Sequence, residues 1–456
     1  MNQLTALFGR AFLYQRGRVA AAAFLLFFAG LVGLGEAITE AGPASAARPE
    51  WTRVLAVPAA SVRQLLFDAY QRAFPRVRQA QTVAIVGIDE DSLKAIGQWP
   101  WPRNKLAELI DAITVFGPKA IGLDIFMPEA DQTSPERVAT NLGSAAPELG
   151  AALRMLPGHD ARLARALAQS PSVLGAAGFG FETLITSAGM RTWPVLAQGA
   201  DPLPFVRRFP FVLASLPELQ AAAQGQALLS IEETAVVRRI PLVAAVGDLL
   251  VPSLAMEMLR VASGGGAIEV AADSHGVRSV SVADLTVETQ SGGDVWLHFA
   301  PEMQGIEARR NVSAATLLGG QVEGEALAGK LVLIGLTGSG LNDRRVTPLG
   351  ESVAGIEIQA QLLESLLDGR FLLRPWWMKW LELGVLLGIG SLMVWHVPNA
   401  LRGQAGGRAR PPRRVGWWVS AVGASLIATG FALFYLTGWL FDGATMSIGF
   451  AGLLAS

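Results

Sequence analysis

Acidic residues at the ends of two predicted strands are the first candidates for chemistry. Asp89 and Asp91 follow the apolar run Thr82–Ile88, and Asp124 lies near the end of a second run, Lys119–Phe126. Open α/β sheets bind ligands at the carboxyl ends of their parallel strands, and clustered carboxylates suit Mg²⁺ or Ca²⁺. The pattern predicts a ligand or metal site on these three aspartates. In the alternative interpretation, Asp89 and Asp91 cap the following helix and Asp124 pairs with an arginine.

A proline-stiffened aromatic turn is the second candidate. Trp99 and Trp101 alternate with two prolines and are followed by Arg103. Because proline fixes φ and restricts the residue before it, both indoles are held rigidly. We assign Trp99, Trp101 and Arg103 to the candidate ligand site. The alternative is that the indoles pack against the edge of the sheet.

A glycine-rich loop follows a third apolar run, Leu331–Leu336, and contains Gly338, Gly340 and Asp343. It does not match the G-x-x-x-x-G-K-[ST] phosphate loop, because no lysine follows. It also lacks the G-x-G-x-x-G pattern with an acid about 20 residues further on. Backbone amides in such a loop can hold an anion, so these three residues join the candidate ligand site. A tight turn after the strand is the alternative.

The elements that position these residues form a predicted βαβ unit. Thr82–Ile88 and Lys119–Phe126 are continuous apolar runs, which are typical of strands buried on both faces. A helix is predicted between them, because apolar residues recur there at helical spacing: Leu106, Leu109, Ile110 and Ile113. Gly117 and Pro118 end this helix. The two strands should therefore be parallel, with a right-handed crossover.

The later sequence predicts antiparallel structure beside this unit. Apolar and polar residues alternate from Val277 to Phe299, and Ser291–Asp294 has the composition of a hairpin turn. The run Val236–Val246 predicts one strand, and a helix is predicted from Pro252 to Arg260 with proline in its first turn. We therefore predict an α/β fold, with a mixed sheet that contains a parallel βαβ unit plus antiparallel hairpins.

The composition excludes several classes of protein. Only 16% of the 456 residues are charged and 51% are hydrophobic, whereas a typical soluble domain has about 25% charged residues. The net charge of −1 gives no field that would favour nucleic acid as a partner. The chain has no cysteine and only four scattered histidines. Disulfides, thiolate metal sites and a cysteine nucleophile are thereby excluded.

Apolar runs of membrane-spanning length place the chain in a lipid bilayer, since about 20 residues cross it. We predict transmembrane helices at 19–38, 376–397 and 415–440, and the start of a fourth at 443–456. Arginines precede the first span, and the loop 398–414 has five arginines and no acid. Short loops with this bias face the cytoplasm.

This bias predicts the topology. Residues 1–18 and the loop 398–414 are cytoplasmic, 39–375 form an extracytoplasmic domain, and the protein is a multi-pass protein of the inner (plasma) membrane. A cleaved signal peptide, with a small-residue site near Ala44–Ala46, is the alternative for the first span. The last run points back to the cytoplasm, so we expect a cytoplasmic segment after it.

A predicted helix joins the external domain to the membrane. Ile356, Ala360, Leu363 and Leu367 form an apolar stripe, and Gly369 is a typical C-terminal glycine. The second span follows almost directly. A shift of this helix would therefore be passed on to the transmembrane helices.

Several blocks together resemble the CHASE2 extracellular sensor domain. They are Val83–Arg103, Ala120–Phe126, Gly329–Leu349 and Ala354–Gly369. The resemblance covers most of the chain between the first and second spans. Val237–Leu242 also matches the family's Arg-Arg-x-Pro-Leu element. The residues before it, Glu232–Ala235, depart from the Asp and Gly that the family usually has there.

The resemblance implies a membrane receptor with a periplasmic or extracellular input domain for an unknown ligand. In that family the output domain lies beyond the last span and is most often an adenylate or guanylate cyclase. We therefore expect a homodimer whose cytoplasmic domain makes cAMP from ATP with Mg²⁺. Residues 1–456 contain no catalytic motif, so no catalytic residue and no cofactor are assigned within them.

Three other functions stay open at this point. The same input domain occurs in front of histidine kinases and Ser/Thr kinases. A receptor without its own effector could signal through a partner. An anchored hydrolase would need a nucleophile–base pair, and neither His159 nor His275 lies in a recognisable triad context.

Overall fold

The computed structural model describes residues 16–40, 50–79, 81–187, 189–229, 235–301, 310–338, 340–341, 344–402 and 413–455. They fall into two compact units. The helical unit lies within residues 1–74 and 372–456, and the α/β unit is Pro75–Phe371. The helix Glu50–Ala73 belongs to the helical unit, and the bounds 39–375 of the external domain stay a prediction.

Helices and strands alternate through the α/β unit, and long helices dominate the other. The helices are α1 Arg16–Glu40, α2 Glu50–Ala73, α3 Glu90–Ile96, α4 Arg103–Thr114, α5 Pro135–Leu142, α6 Pro147–Arg154, α7 His159–Ala168, α8 Pro217–Ala222, α9 Leu254–Ala262, α10 Ala314–Leu318, α11 Gly355–Leu367, α12 Met378–Arg402, α13 Arg413–Thr437 and α14 Gly443–Ala455. The strands are β1 Val83–Ile88, β2 Ala120–Leu123, β3 Ser172–Phe179, β4 Val195–Gly199, β5 Arg208–Phe209, β6 Phe211–Leu213, β7 Gly225–Leu228, β8 Arg239–Pro241, β9 Val243–Val246, β10 Leu249–Pro252, β11 Ile268–Asp273, β12 Gly276–Val282, β13 Leu285–Glu288, β14 Asp294–Leu297, β15 Asn311–Ser313, β16 Leu331–Leu336, β17 Arg344–Val346, β18 Ser352–Ala354 and β19 Phe371–Leu372.

A parallel sheet forms the centre of the α/β unit. Its strands lie in the order β15, β1, β16, β2, β3 and β7, and each neighbouring pair is parallel. The predicted strands β1 and β2 and the helix α4 between them are confirmed. The two strands are not neighbours, however, because β16 pairs with both of them. Mixed structure is confirmed as well, since β6 pairs antiparallel with the end of β3.

Alternating residues of β1 contribute to two separate cores, which explains why the whole strand is apolar. Ala84, Val86 and Ile88 pack in the same core as helix α4. Val83 and Ile85 pack in the core that includes helices α9 and α11. Successive side chains of a strand point to opposite faces, so helices cover this sheet on both sides.

Two details of the antiparallel region differ from the sequence prediction. Strand β13 pairs with β12, but β14 pairs with β8, so Ser291–Asp294 joins two sheets and is not a hairpin turn. The run Val236–Val246 is divided at Leu242, and its halves β8 and β9 lie in different sheets. Proline at position 241 lacks the N–H that a continuing ladder needs. Alternation identifies the faces of a strand but not its partner.

The predicted helix at Pro252 begins two residues later. Pro252 is the last residue of β10, and Ser253 is the N-cap of α9. The Ser253 side chain accepts a hydrogen bond from the backbone N–H of Met256. A serine N-cap satisfies one of the free amides of the first turn, so the helix starts after it.

The helical unit contains three helices that are long and apolar enough to cross a membrane: Arg18–Glu36, Met378–His396 and Gly416–Thr437. The expected fourth span is the shorter apolar helix Gly443–Leu454. About four spans were predicted, and three are found in the described residues. Most of the arginine-rich loop lies outside the described residues.

Paired charges are buried within the helical unit. Nη2 of Arg374 lies 2.7 Å from Oε1 of Glu36 and 2.8 Å from Oε2 of Glu382. Arg63 of α2 also pairs with Glu36. Each of these side chains is almost fully buried. Removal of one partner would leave a buried charge uncompensated. These pairs therefore stabilise the packing of α1, α2 and α12 against one another.

Candidate functional site

A pocket with a volume of about 280 Å³ lies at the carboxyl ends of β2 and β16. We call it the strand-end pocket. Its walls are lined by Trp99, Asp124, Ile125, Phe126, Leu229, Leu336, Arg345, Gly355 and Gln359. Two residues of the predicted site, Trp99 and Asp124, therefore share one pocket. This is the edge of a parallel sheet at which ligands bind in open α/β folds.

Helix α11 supplies one wall of the strand-end pocket. Gly355 and Gln359 are four residues apart and so lie on the same face of the helix. Gln359 is only 4% exposed, and its Oε1 atom has no hydrogen-bond partner among the described residues. A buried acceptor without a partner is costly. The site is thus ready to accept a hydrogen bond from a ligand.

The N-terminus of α11 adds positive potential to the same wall. Ala354 is its N-cap and offers no side-chain acceptor for the first amides of the helix. Such amides carry the positive end of the helix dipole. Asp124 also lines the pocket and follows β2 directly. Its backbone N–H donates to the carbonyl of Ile334 at 2.8 Å, which fixes it at the strand end.

The two predicted indoles have different roles. Trp99 lines the strand-end pocket. Trp101 is buried, and its Nε1–H donates to the carbonyl of Gly97 at 2.9 Å. The two ring centroids are 6.0 Å apart with an interplanar angle of 63°. Trp101 therefore packs behind Trp99 and supports it, as the packing alternative expected for one of the pair.

Arg103 lies in a different polar cluster. Its backbone N–H donates to Oδ2 of Asp131 at 2.7 Å, and its Nε lies 3.8 Å from Oδ1 of Asp160. Burial lowers the pKa of Arg103, although the two carboxylates act in the opposite direction. His159 joins the cluster through Nδ1, 3.0 Å from Asp131 Oδ2. The sequence prediction missed this cluster.

Asp89 caps a helix. Its Oδ1 accepts hydrogen bonds from the backbone N–H of Ser92 at 2.9 Å and from Ser313 Oγ at 2.8 Å. Asp91 is exposed in the first turn of the same helix, α3. Among the described residues, no group of three or more His, Asp or Glu is placed to hold a metal ion. The cation site on Asp89, Asp91 and Asp124 gains no support, and the capping alternative describes Asp89.

The glycine-rich loop closes over the end of β1. The backbone N–H groups of Thr337 and Gly338 both donate to the carbonyl of Ile88, each at 3.1 Å. These amides are therefore already engaged, as the turn alternative expected. Gly340 lies in a turn. Asp343 falls outside the described residues.

A second group of charges, which the sequence prediction missed, runs along α11 from Glu357 in its first turn to Asp368 just after its end. We call it the junction cluster, and it comprises Arg76, Arg78, Arg310, Glu357, Glu364 and Asp368. Nη2 of Arg76 lies 2.9 Å from Oε2 of Glu364, and Nη1 of Arg310 lies 2.7 Å from Oε1 of Glu364. The signal in the sequence was a polar stripe at helical spacing, Glu357, Gln361, Glu364 and Asp368.

The electrostatics of the junction cluster favour the charged forms. Burial raises the pKa of Glu364, but Arg310, Arg78 and Arg76 outweigh it, so that the pKa lies below its ordinary value. Burial lowers the pKa of Arg310, and the carboxylates of Glu357 and Glu364 raise it further than burial lowers it. Both shifts favour the charged forms, so Glu364 and Arg310 stabilise each other as an ion pair.

One helix thus connects two sites within the α/β unit. Gly355 and Gln359 line the strand-end pocket, and Glu364 at the other end of α11 binds Arg76. The helix is about 20 Å long, at about 1.5 Å per residue.

The model of the CHASE2 domain family matches residues 51–395. The chain belongs to the CHASE2 family. CHASE2 domains are extracellular sensor modules of signalling proteins. The CHASE2 match begins at the second residue of α2 and ends within α12, so it takes in parts of both units. Among curated proteins and among solved structures, nothing matches the chain.

Proposed function

We propose that this CHASE2 protein is a membrane receptor whose strand-end pocket binds an extracytoplasmic ligand and whose α11 helix transmits that event. The observation that carries the proposal is the double role of α11. Gln359 on its first turns faces the pocket, while Glu364 and Asp368 near its end bind Arg76. Arg76 follows the first residue of the α/β unit, Pro75.

The relay has a simple physical basis. A ligand shifts a conformational equilibrium only by binding one state more tightly than another. Filling the strand-end pocket would favour one position of α11. The junction cluster couples that position to both points at which the chain crosses the unit boundary, because Asp368 lies three residues before Phe371. Buried ion pairs require good geometry, so a shift of the helix is transmitted rather than absorbed.

The output that we propose is a cytoplasmic adenylate cyclase, active as a homodimer with Mg²⁺ and ATP. The support is the CHASE2 membership, since outputs in this family are most often cyclases. The arginine bias around the apolar segments supports multi-pass placement in the inner membrane, with the CHASE2 domain outside. None of residues 1–456 is assigned to the cyclase reaction.

The test measures cAMP made from Mg²⁺ and ATP by membranes that contain the natural full-length protein. Asp368→Asn weakens the junction cluster at its end and should change the basal rate about fivefold, the effect of roughly 1 kcal/mol on a two-state equilibrium. Gln132→Met, at an exposed position outside both sites, should leave the rate unchanged.

Two outcomes would contradict the proposal. Transfer of the γ-phosphate of ATP to protein, with no cyclic nucleotide formed, would replace the cyclase by a kinase output. Equal rates for Asp368→Asn and wild type would remove the junction cluster from the relay.

A further inference from the structure

The lining of the strand-end pocket includes a residue with a buried hydrogen-bond acceptor that has no donor in the part of the chain that the structure describes. Gln359 Oε1 has no partner among the described residues, although its side chain is almost fully buried. It lies on the helix face that lines the pocket. A ligand that brings an N–H or O–H group to this atom would remove the cost of leaving it unpaired.

The charges of the lining have opposite signs. Asp124 and Arg345, whose side chains carry opposite charges, both line the pocket. The N-terminus of α11 at Gly355 adds positive potential without a capping side chain. Both charged side chains have other interactions as well, which a bound molecule would share. A ligand that carries one charge of each sign is complementary to this lining.

The rest of the lining is apolar, and the pocket is small. Trp99 and Phe126 present aromatic surface, and Ile125, Leu229 and Leu336 complete the apolar wall. The volume of about 280 Å³ lies just below the range for ligand sites, which begins at about 300 Å³. The site therefore suits a compact molecule with one apolar group.

We infer that the strand-end pocket binds a small zwitterion with an apolar side group, which is the chemistry of a free apolar amino acid. The ammonium donates to Gln359 Oε1 and is compensated by Asp124. The carboxylate lies towards Arg345 and the first amides of α11, and the apolar group packs against Trp99. This inference rests on the proposed role of the pocket as the sensing site.

Calorimetric titration of the full 456-residue chain in lipid nanodiscs tests the inference. The probe is L-phenylalanine, and its matched controls are phenethylamine, which lacks the carboxylate, and 3-phenylpropanoate, which lacks the ammonium. L-Phenylalanine should bind saturably, and removal of either charge should weaken binding by about tenfold or more, as expected for an unpaired buried polar group.

Variants place the ligand in the pocket. Gln359→Met keeps the length of the side chain and removes its acceptor, so it should weaken L-phenylalanine binding about tenfold. The exposed control Gln132→Met should bind as tightly as wild type. Equal affinity of Gln359→Met and wild type would overturn the placement of the ammonium.

The zwitterion class itself is overturned if phenethylamine or 3-phenylpropanoate binds as tightly as L-phenylalanine. L-Leucine serves as a second apolar amino acid in the same titration. Failure of both L-phenylalanine and L-leucine to bind also overturns the zwitterion class. Either failure is distinguishable from failure of the receptor proposal, because the latter is judged by the effect of Asp368→Asn on the output, with no ligand added.

Discussion

Arg76 and Asp368 form a buried ion pair in which Arg76 Nη1 lies 2.8 Å from Asp368 Oδ2, and each side chain is at most 2% exposed. Arg76 is the second residue of the α/β unit, and Asp368 is the fourth from its end. The pair therefore fixes, within this unit, the separation of the two segments through which the chain enters and leaves it. A sensor that signals through these segments needs such a fixed point.

Removal of the Arg76 guanidinium should strongly destabilise the α/β unit. Arg76→Met leaves the carboxylates of Glu364 and Asp368 short of a buried partner, which costs about 3–5 kcal/mol. Urea unfolding followed by circular dichroism measures the loss. The matched control is Arg208→Met, which removes an exposed pair with Asp248 and should cost at most about 1 kcal/mol. Equal losses for the two variants would contradict a structural role of the buried pair.

Stability should fall at acid pH through Glu364. Its pKa is lower in the folded protein than the ordinary value of about 4.3. The folded state therefore binds fewer protons than the unfolded state, so its stabilisation is complete above about pH 5 and is lost as the pH falls through 4.3 towards the folded pKa.

Unfolding free energies of wild type and Glu364→Gln, measured in urea at neutral and at acid pH, test this dependence. The variant should be the less stable at neutral pH and should lose less stability on acidification. Parallel pH profiles for the two proteins would show that another carboxyl group is responsible.

Loss of the Asp89 cap should destabilise the α/β unit without any dependence on metal. Asp89→Ala removes the acceptor for Ser92 and Ser313 and should cost about 1–2 kcal/mol. The exposed neighbour is the control, and Asp91→Ala should change stability by less than about 0.5 kcal/mol. Thermal melts with and without millimolar Ca²⁺ or Mg²⁺ should coincide. A rise in the wild-type melting temperature that Asp89→Ala abolishes would instead restore the cation site.

The amide oxygen of Gln359, unpartnered in the described part of the chain, should lower the free energy of unfolding of the unliganded protein, compared with a variant that lacks this oxygen. Gln359→Met replaces a buried acceptor that has no partner among the described residues by an apolar group of similar length. The variant should be more stable than wild type by about 1 kcal/mol, because it removes an unsatisfied buried group. A thermal melt without ligand measures the difference. A loss of stability of similar size would indicate that the amide has a structural role.

Single cysteines should report the topology, since the chain contains no cysteine. Cysteine introduced at the exposed Gln132 should react with a membrane-impermeant maleimide from outside the inner membrane. Gly406→Cys, in the arginine-rich loop, should react only after the membrane is permeabilised. The opposite pattern would invert the proposed orientation, and labelling of both positions from one side would exclude a span between them.

The sequence alone determined the elements at the centre of the fold. The strands β1, β2 and β16 are buried on both faces, so each appears as an unbroken apolar run. The helix α4 buries Leu106, Leu109, Ile110 and Ile113 at the predicted helical spacing. Three apolar segments of membrane-spanning length were equally visible. In each case burial of one element leaves a local pattern in the amino acids.

Only the tertiary structure decided which elements meet. Strand β16 lies between β1 and β2 although it follows them by about 200 residues, and this insertion brings the α11 helix to the carboxyl ends of the strands. Trp99 and Asp124 consequently share a pocket with Gln359, while Asp89 is left as a helix cap. Arg76 reaches Asp368 in the same way, across 292 residues of sequence. Periodicity records which face of an element is buried, but the partner of that face depends on packing across the whole chain.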